Sequence, residues 1–304
     1  MLNKTFLLFM MQVLTACLLY AQDNVITFEI GSAKVTLLSE GQRTSGTNVL
    51  VGATDEMIRQ AIPNGTYPSA TNVFLVETAG KVVLVDAGLG KNTIENLELY
   101  GKKTTDVDAI CITHLHGDHI GSLVIDNVKS FPNATLYIPK PEYDYYMNDE
   151  SLNGLPENRR SGFLNMRKLF DTYKAQLTTF VPGEIDDAKE LLPDLKGVAA
   201  YGHTPGHTGF LLESNGLKLF FWGDLTHAMA IQMPFPEVAM TYDSDTAKAV
   251  ASRLKLLKYV ADNHIRVAGA HIQFPGIGTV TENVQRGYNF ILSCACEGRF
   301  PDVK

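Results

Sequence analysis

Cysteine is scarce in this chain of 304 residues: Cys17, Cys111, Cys294 and Cys296 are all it has. Leaving aside Cys17 near the N-terminus, three thiols remain, an odd number that argues against a disulfide framework, and Cys294 and Cys296, one residue apart, are badly placed to bond each other. Cys111 lies in the apolar run "AICIT" and reads as a buried thiol, so no cysteine is assigned to catalysis or to a metal. Positive charge is also short, with 26 Lys and Arg against 33 Asp and Glu and a net charge of -7. An acidic chain with no basic patch, in which Arg159-Arg160 is an isolated pair, repels a phosphate backbone, which argues against a nucleic-acid partner. No G-x-S-x-G elbow occurs, which removes the usual signature of a serine nucleophile. Repeats and low-complexity linkers are missing too. With 45% hydrophobic residues the chain has enough apolar content for a packed core, and disorder is excluded.

The one long apolar run stands at the N-terminus. "MLNK" is a basic start, "TFLLFMMQVL" an apolar core, and "LLYAQ" ends on the small residue Ala21. This is the grammar of an export signal over residues 1–22, too short and too poorly flanked for a stable membrane span. "LTAC" at 14–17 offers a second reading, a lipoprotein box with Cys17 lipidated, but the residues after Cys17 are apolar where a tether is usually polar. A secreted or periplasmic protein is therefore the expectation, with anchoring through Cys17 as the alternative.

Residues 23–304 read as one domain in which strands alternate with helices. "VITFEI" and "AKVTLLSE" form a hairpin around Gly31, residues 72–88 a second one around Ala79-Gly80, and "SNG" at 214–216 a third turn. "DHIGSLVID" reads as a short helix starting near Asp118. Residues 140–176 have helical spacing and many aromatics and read as an insertion. Residues 243–263 form the clearest helix, capped by Asp243 or Ser244, with Val250, Leu254, Leu257 and Val260 on its apolar face. "RGYNFILSCA" is a final edge strand. Five apolar strands, "VVLVDAG", "AICITHLH", "VAAYGHTPGH", "LFFWGD" and "RVAGAH", each run into a polar residue, which is where layered α/β folds place their chemistry.

The densest chemistry is "THLHGDHIG" at 113–121. His114 and His116, two apart in extended backbone, point the same way. Asp118 and His119 follow at the turn into a helix. Imidazole and carboxylate are zinc ligands, but four donors in so short a run cannot close around one ion. Split between two ions, the run leaves each short of a histidine, and an acid shared by both ions would hold the pair together. Asp224 at the end of "LFFWGD" suits the shared acid, since a carboxylate after so apolar a strand needs a cation or donors. His207, after Pro205-Gly206, and His271, ending "RVAGAH", suit the missing histidines; His203 is the rival of His207, and His264 reads as a surface residue.

His114, His116, Asp118, His119, His207, Asp224 and His271, in that order, resemble the metallo-β-lactamase superfamily in its two-metal form. The likeness runs from "VVLVDAG" to "GAHIQFPGIG". It implies an α/β fold, a four-layer αββα sandwich with the metals at one edge of its sheets. It implies two zinc ions, one held by His114, His116 and His207 and the other by Asp118, His119 and His271, with Asp224 and a hydroxide between them. Manganese, iron or cobalt suit the same donors. Asp86 in "LVDAG" is implied to support a ligand, and Asp118 or Asp224 to relay the proton to the leaving group. "FWGDLTHAMAIQMPFPEV" followed by "GAHIQFPGIG" resembles the methyl parathion hydrolase-like branch, related to N-acyl homoserine lactonases. That implies a metal-dependent hydrolase, lactonase- or esterase-like, acting on small-molecule lactones or esters such as acyl homoserine lactones. Phosphotriesters, β-lactams and a non-catalytic metal-binding module are the alternatives, and a homodimer is left open. Tyr143, Tyr145, Tyr146, Phe163, Phe170 and Tyr173 of the insertion are expected to divide between packing and the pocket wall, with Phe235 and Phe274 as further wall candidates. His227 is read as supporting the Asp224 loop or acting directly; Trp222 is read as core.

Overall fold

The computed structural model describes residues 24–293, so the export signal, Cys17, Cys294 and Cys296 lie outside the described residues. Fourteen strands make two sheets of seven. The first holds β1 (Val25–Ile30), β2 (Ala33–Gly46), β3 (Thr66–Thr78), β4 (Lys81–Val85), β5 (Ala109–Cys111), β6 (Thr135–Pro139) and β7 (Leu177–Phe180), side by side in chain order. The second holds β8 (Glu190–Leu192), β9 (Leu195–Ala199), β10 (Thr208–Ser214), β11 (Leu217–Phe221), β12 (Arg266–Ala268), β13 (Ile277–Glu282) and β14 (Tyr288–Leu292), again in chain order. Strands joined by tight turns pair antiparallel, and the turns carry the expected left-handed residues, Ala79 and Gly80 (φ 47° and 73°) and Asn215 and Gly216 (φ 49° and 80°). Strands β4 to β7 pair in parallel, as do β11 and β12, because a longer connection separates each pair.

Alternation along the strands decides which side chains fill which layer. Phe28, Leu37, Phe74 and Val85 of the first sheet meet Phe210, Leu212, Leu219 and Phe221 of the second in a core between the sheets. The opposite face of the first sheet, with Leu75, Leu84, Ile110 and Leu136, is covered by α1 (Lys91–Leu99) and α3 (Glu157–Tyr173). The opposite face of the second, with Leu211, Phe220 and Val267, is covered by Leu256, Leu257 and Val260 of α4 (Thr246–Asp262). These three cores make the αββα sandwich.

Several local expectations change. The helix at Asp118 is a single turn, Gly117–Ile120, and the chain then forms a small hairpin, Val124–Ile125 with Val128–Lys129. The cap of α4 is Asp245, whose carboxylate accepts the Lys248 N–H; Asp243 bonds His203 instead. Leu254 on that helix is exposed, whereas Arg253 is buried, because its guanidinium finds the carbonyls of Leu225, Pro236 and Val238. Three helices, α2 (Lys140–Met147), Asp149–Gly154 and α3, fall between β6 and β7, in the stretch expected to be helical. Among the described residues no helix is long and apolar enough to cross a membrane.

Candidate metal centre

The polar residues that end five buried strands converge at one edge of the sandwich. Asp86 follows β4, the 113–119 loop follows β5, His203 and His207 lie between β9 and β10, Asp224 follows β11 and His271 follows β12. Three donor groups result, and one of them, Asp224, His227 and His271, overlaps the other two. His114, His116, His203 and Asp224 have ligand atoms within 4.8 Å of one another, and so do Asp118, His119 and His271. Asp224 joins them. Its Oδ2 lies 3.1 Å from His271 Nε2, 3.3 Å from His203 Nε2 and 3.6 Å from His114 Nε2, and its Oδ1 lies 3.1 Å from His119 Nε2.

His207 departs from the expectation. It is buried beside the cluster, but both ring nitrogens are used: Nδ1–H donates to the Ala200 carbonyl at 2.8 Å, and Nε2 accepts the backbone N–H of Asp224 at 3.0 Å. A nitrogen that accepts a backbone N–H has no lone pair left for a metal. His207 therefore aims the Asp224 loop, and its rival His203 takes the donor position. His203 is oriented for it: its Nδ1–H donates to Asp243 at 2.8 Å, which turns Nε2 toward Asp224 and toward His116 Nδ1 at 3.0 Å. The motif "GHTPGHT" carries two histidines, and only their partners separate the roles. Asp243, the useful signal, is far away in sequence.

The other donors are fixed in the same way. His119 Nδ1–H donates to Asp86 at 2.7 Å, and Asp86 also takes the backbone N–H and the hydroxyl of Thr113, so the expected supporting role matches its contacts. His271 Nδ1–H donates to the Ala70 carbonyl at 2.8 Å. His227 donates from Nε2 to Asp224 Oδ2 at 2.8 Å and stacks on His271. Of the two glycines in the run, Gly121 is required by close approach, since a Cβ there would lie 2.3 Å from the Leu89 backbone; Gly117 faces open space.

These residues fit divalent metals. His114 Nε2, His119 Nε2 and Asp224 Oδ1 are buried with no hydrogen-bond partner, and each such atom costs about 1–3 kcal/mol unless something binds it. Nitrogen and carboxylate oxygen are the donors zinc takes. Burial depresses His114, and it brings His116 down to about 4, so both present neutral imidazoles. Burial also opposes protonation of His203, but its bonds to Asp224 and Asp243 prevail and raise it to about 9. Burial works against the charge on Asp224 too, yet the surrounding imidazoles, His119 foremost, hold its carboxyl well below the usual range.

The cluster forms the floor of a cavity of about 380 Å³. Its far wall comes from Arg43, Ser45, Asn48, Val49, Tyr67 and Tyr242. None of these was singled out from the sequence. Arg43 is anchored by its Nη1–H to Thr71 Oγ1 at 2.6 Å, and its Nη2 lies 3.3 Å from His271 Nδ1. The six insertion aromatics are not in this wall. Tyr143 packs on Phe170, Tyr145 and Tyr146 on Phe163, and the Tyr173 hydroxyl donates to the Leu123 carbonyl. Phe235 and Phe274 are also elsewhere, in or against apolar clusters.

Comparison with known proteins agrees with this architecture. YobT, an uncharacterized protein of Bacillus subtilis, is 33% identical over 150 residues, which are 48% of this chain and 58% of YobT, so the chain spans little more than half the length of that curated relative. Solved structures match more completely. AbOPH, a hydrolase in the beta lactamase superfamily, is 27% identical with a TM-score of 0.80, covering 89% of this chain and 98% of its own. AidC, a dizinc quorum-quenching lactonase, is 25% identical with a TM-score of 0.80 over the same shares. The family model of the metallo-beta-lactamase superfamily matches residues 66–271, and with the sandwich and the donor cluster at its edge, the chain belongs to that superfamily.

Proposed function

We propose that the protein is a di-zinc hydrolase of lactones or related esters, acyl homoserine lactones included, working outside the cytoplasm. The observation that carries this reading is the pair of donor groups joined by one buried carboxylate. His114, His116 and His203 would hold one ion and Asp118, His119 and His271 the other, with Asp224 between them. Bound there, the metals would make a water molecule acidic enough to attack at neutral pH and would polarise the substrate carbonyl. The remaining tasks fall to the chain. Asp224 is only 3% exposed and is surrounded by imidazoles, so it holds charge in place. Asp118 is 26% exposed at the cavity floor and is the acid that can exchange a proton with the leaving group. Burial brings His227 down to about 3; Nε2 donates to Asp224, and the ring braces His271 by stacking. The polar far wall and the cavity of about 380 Å³ suit a small ring with a polar substituent.

The names of AbOPH and AidC support hydrolysis in general and lactones in particular. The sequence of residues 1–22 supports export. The decisive experiment is elemental analysis of the purified chain, joined to assays on lactones of varied acyl length, simple esters and phosphotriesters. Two metal equivalents with lactone opening are expected. A metal-loaded protein inert on every lactone would end the lactonase reading, and a faster rate on phosphotriesters would replace it. Fractionation of the producing cell checks the location, with the soluble cytoplasmic fraction as the adverse outcome.

A further inference from the structure

We infer that Glu142 is a positioning residue of the metal centre, a buried carboxylate that fastens together the two loops presenting His114, His116 and His203. The inference rests on the metal-centre reading above and extends it to the helical insertion. Glu142 lies in the first turn of α2 and is fully buried. Its Oε1 accepts the backbone N–H of Leu115 at 3.2 Å, and its Oε2 accepts that of Gly206 at 2.7 Å. Leu115 stands between His114 and His116. Gly206 stands between His203 and His207. The first loop leaves β5 of one sheet and the second leaves β9 of the other, so this one side chain spans the two halves of the sandwich just behind the donors. A second tie, from the Thr208 N–H to the Thr113 carbonyl, joins the same loops at their roots.

The residue type explains the role. Burying a carboxylate is costly, and an apolar side chain would fill the same space more favourably. What an apolar side chain cannot do is accept two N–H groups from two loops at once, with one oxygen for each. Gly206 shows how closely the parts are fitted, since a Cβ there would lie 2.3 Å from the Glu142 backbone nitrogen. The Leu115 N–H lies between the donors His114 and His116, and the Gly206 N–H lies three residues after His203 in the loop that presents it, so losing either bond frees a loop close to where ligand spacing is set. Partners of this kind, one step behind the ligands, typically govern metal affinity by about 10–100-fold.

The test measures zinc affinity by chelator competition and records the visible spectrum of the cobalt-loaded protein. Glu142→Gln keeps one acceptor oxygen and turns an N–H₂ toward the other backbone N–H. Zinc affinity should fall by about 10–100-fold and the cobalt bands should shift. Gly206→Ala disturbs the same junction from the opposite side and should act in the same direction, with the double variant little worse than the poorer single one; it also serves as the test if Glu142→Gln does not fold. Phe170→Ala is the control, because it loosens the insertion core without touching the clamp and should lower the melting temperature while leaving zinc affinity unchanged. Zinc affinity within about twofold of wild type and an unshifted cobalt spectrum in folded Glu142→Gln would overturn the inference. So would a loss of affinity in Phe170→Ala equal to that in Glu142→Gln. Failure of the wild-type chain to take up zinc at all would instead bring down the metal-centre reading, and this inference with it.

Discussion

Two regions flank the donor cluster, and they are built in opposite ways. The front wall comes from the far end of the β2–β3 ribbon, where Arg43 pairs with Ser69 in register, together with Ser45, Asn48 and Tyr67. It is mostly polar: Arg43 and Asn48 are exposed, Ser45 is half-buried and Tyr67 is buried. The insertion behind the cluster is aromatic, and Phe163, Phe170 and Tyr173 are buried. The sequence reading divided these aromatics between packing and the pocket wall, and the cavity lining contains none of the six. The difference teaches that a run of aromatics between strands reports burial before it reports contact with a substrate. The front wall meets what enters the cavity, and the insertion holds the floor in place.

The largest effect tests what both regions serve. Asp224→Ala removes the carboxylate that joins the two donor groups, and hydrolysis should fall by about 10³-fold, equivalent to about 4 kcal/mol of barrier. A steady-state rate within tenfold of wild type would mean that the cluster is not the reacting centre, and the contrast between wall and brace would then lose its reference point. Next comes Phe170→Ala, in the brace. It opens a cavity beside Tyr143 in the core under the first sheet and should cost about 3–5 kcal/mol, a fall in melting temperature on the order of 10 °C. KM should not change. A rise in KM with little loss of stability would return Phe170 to the pocket wall and reverse the comparison.

Much of this architecture was legible in the chain itself. Period-two alternation and the turns at Gly31, Ala79-Gly80 and Asn215-Gly216 marked the hairpins, and the strands ending in Asp86, His114, Asp224 and His271 marked the active edge, because these signals are local. What stayed hidden depends on distant partners. His203 and His207 are told apart by Asp243 on one side and by Ala200 and the Asp224 N–H on the other. Arg43 lies 228 residues from His271 in the chain. Glu142 was not singled out from the sequence, because its partners, the Leu115 and Gly206 N–H groups, reach it only through the fold. Arg253 drew no notice either, though three carbonyls receive it in the interior.

A smaller effect belongs to the front wall. Arg43→Gln keeps a donor near Thr71 but removes the charge that faces the cavity. The side chain is exposed, so stability should move by no more than about 0.5 kcal/mol. KM for substrates bearing a polar or anionic substituent should rise by roughly tenfold, equivalent to about 1.4 kcal/mol. Unchanged kinetics on every substrate turned over would show that Arg43 does not meet the substrate.

The smallest effect reads the brace through pH. Burial pushes the Glu142 carboxyl up from its ordinary value of 4.5, against the lowering pull of the Gly206 and Leu115 N–H groups. A raised value means that the native state holds this proton more tightly than the unfolded chain does. The stabilisation from that proton is therefore complete below the unfolded value and is lost as pH rises through the native one. Glu142→Gln does not titrate at this position, so the difference between the two proteins reports the Glu142 proton together with its coupling to the nearby His203. The stability of wild type relative to Glu142→Gln should thus decline as pH climbs through the raised native value, in denaturant melts of both proteins at matched ionic strength. A difference that stays level, or moves in favour of wild type with rising pH, would show that the N–H groups outweigh burial and that the clamp carries its charge without strain on the fold.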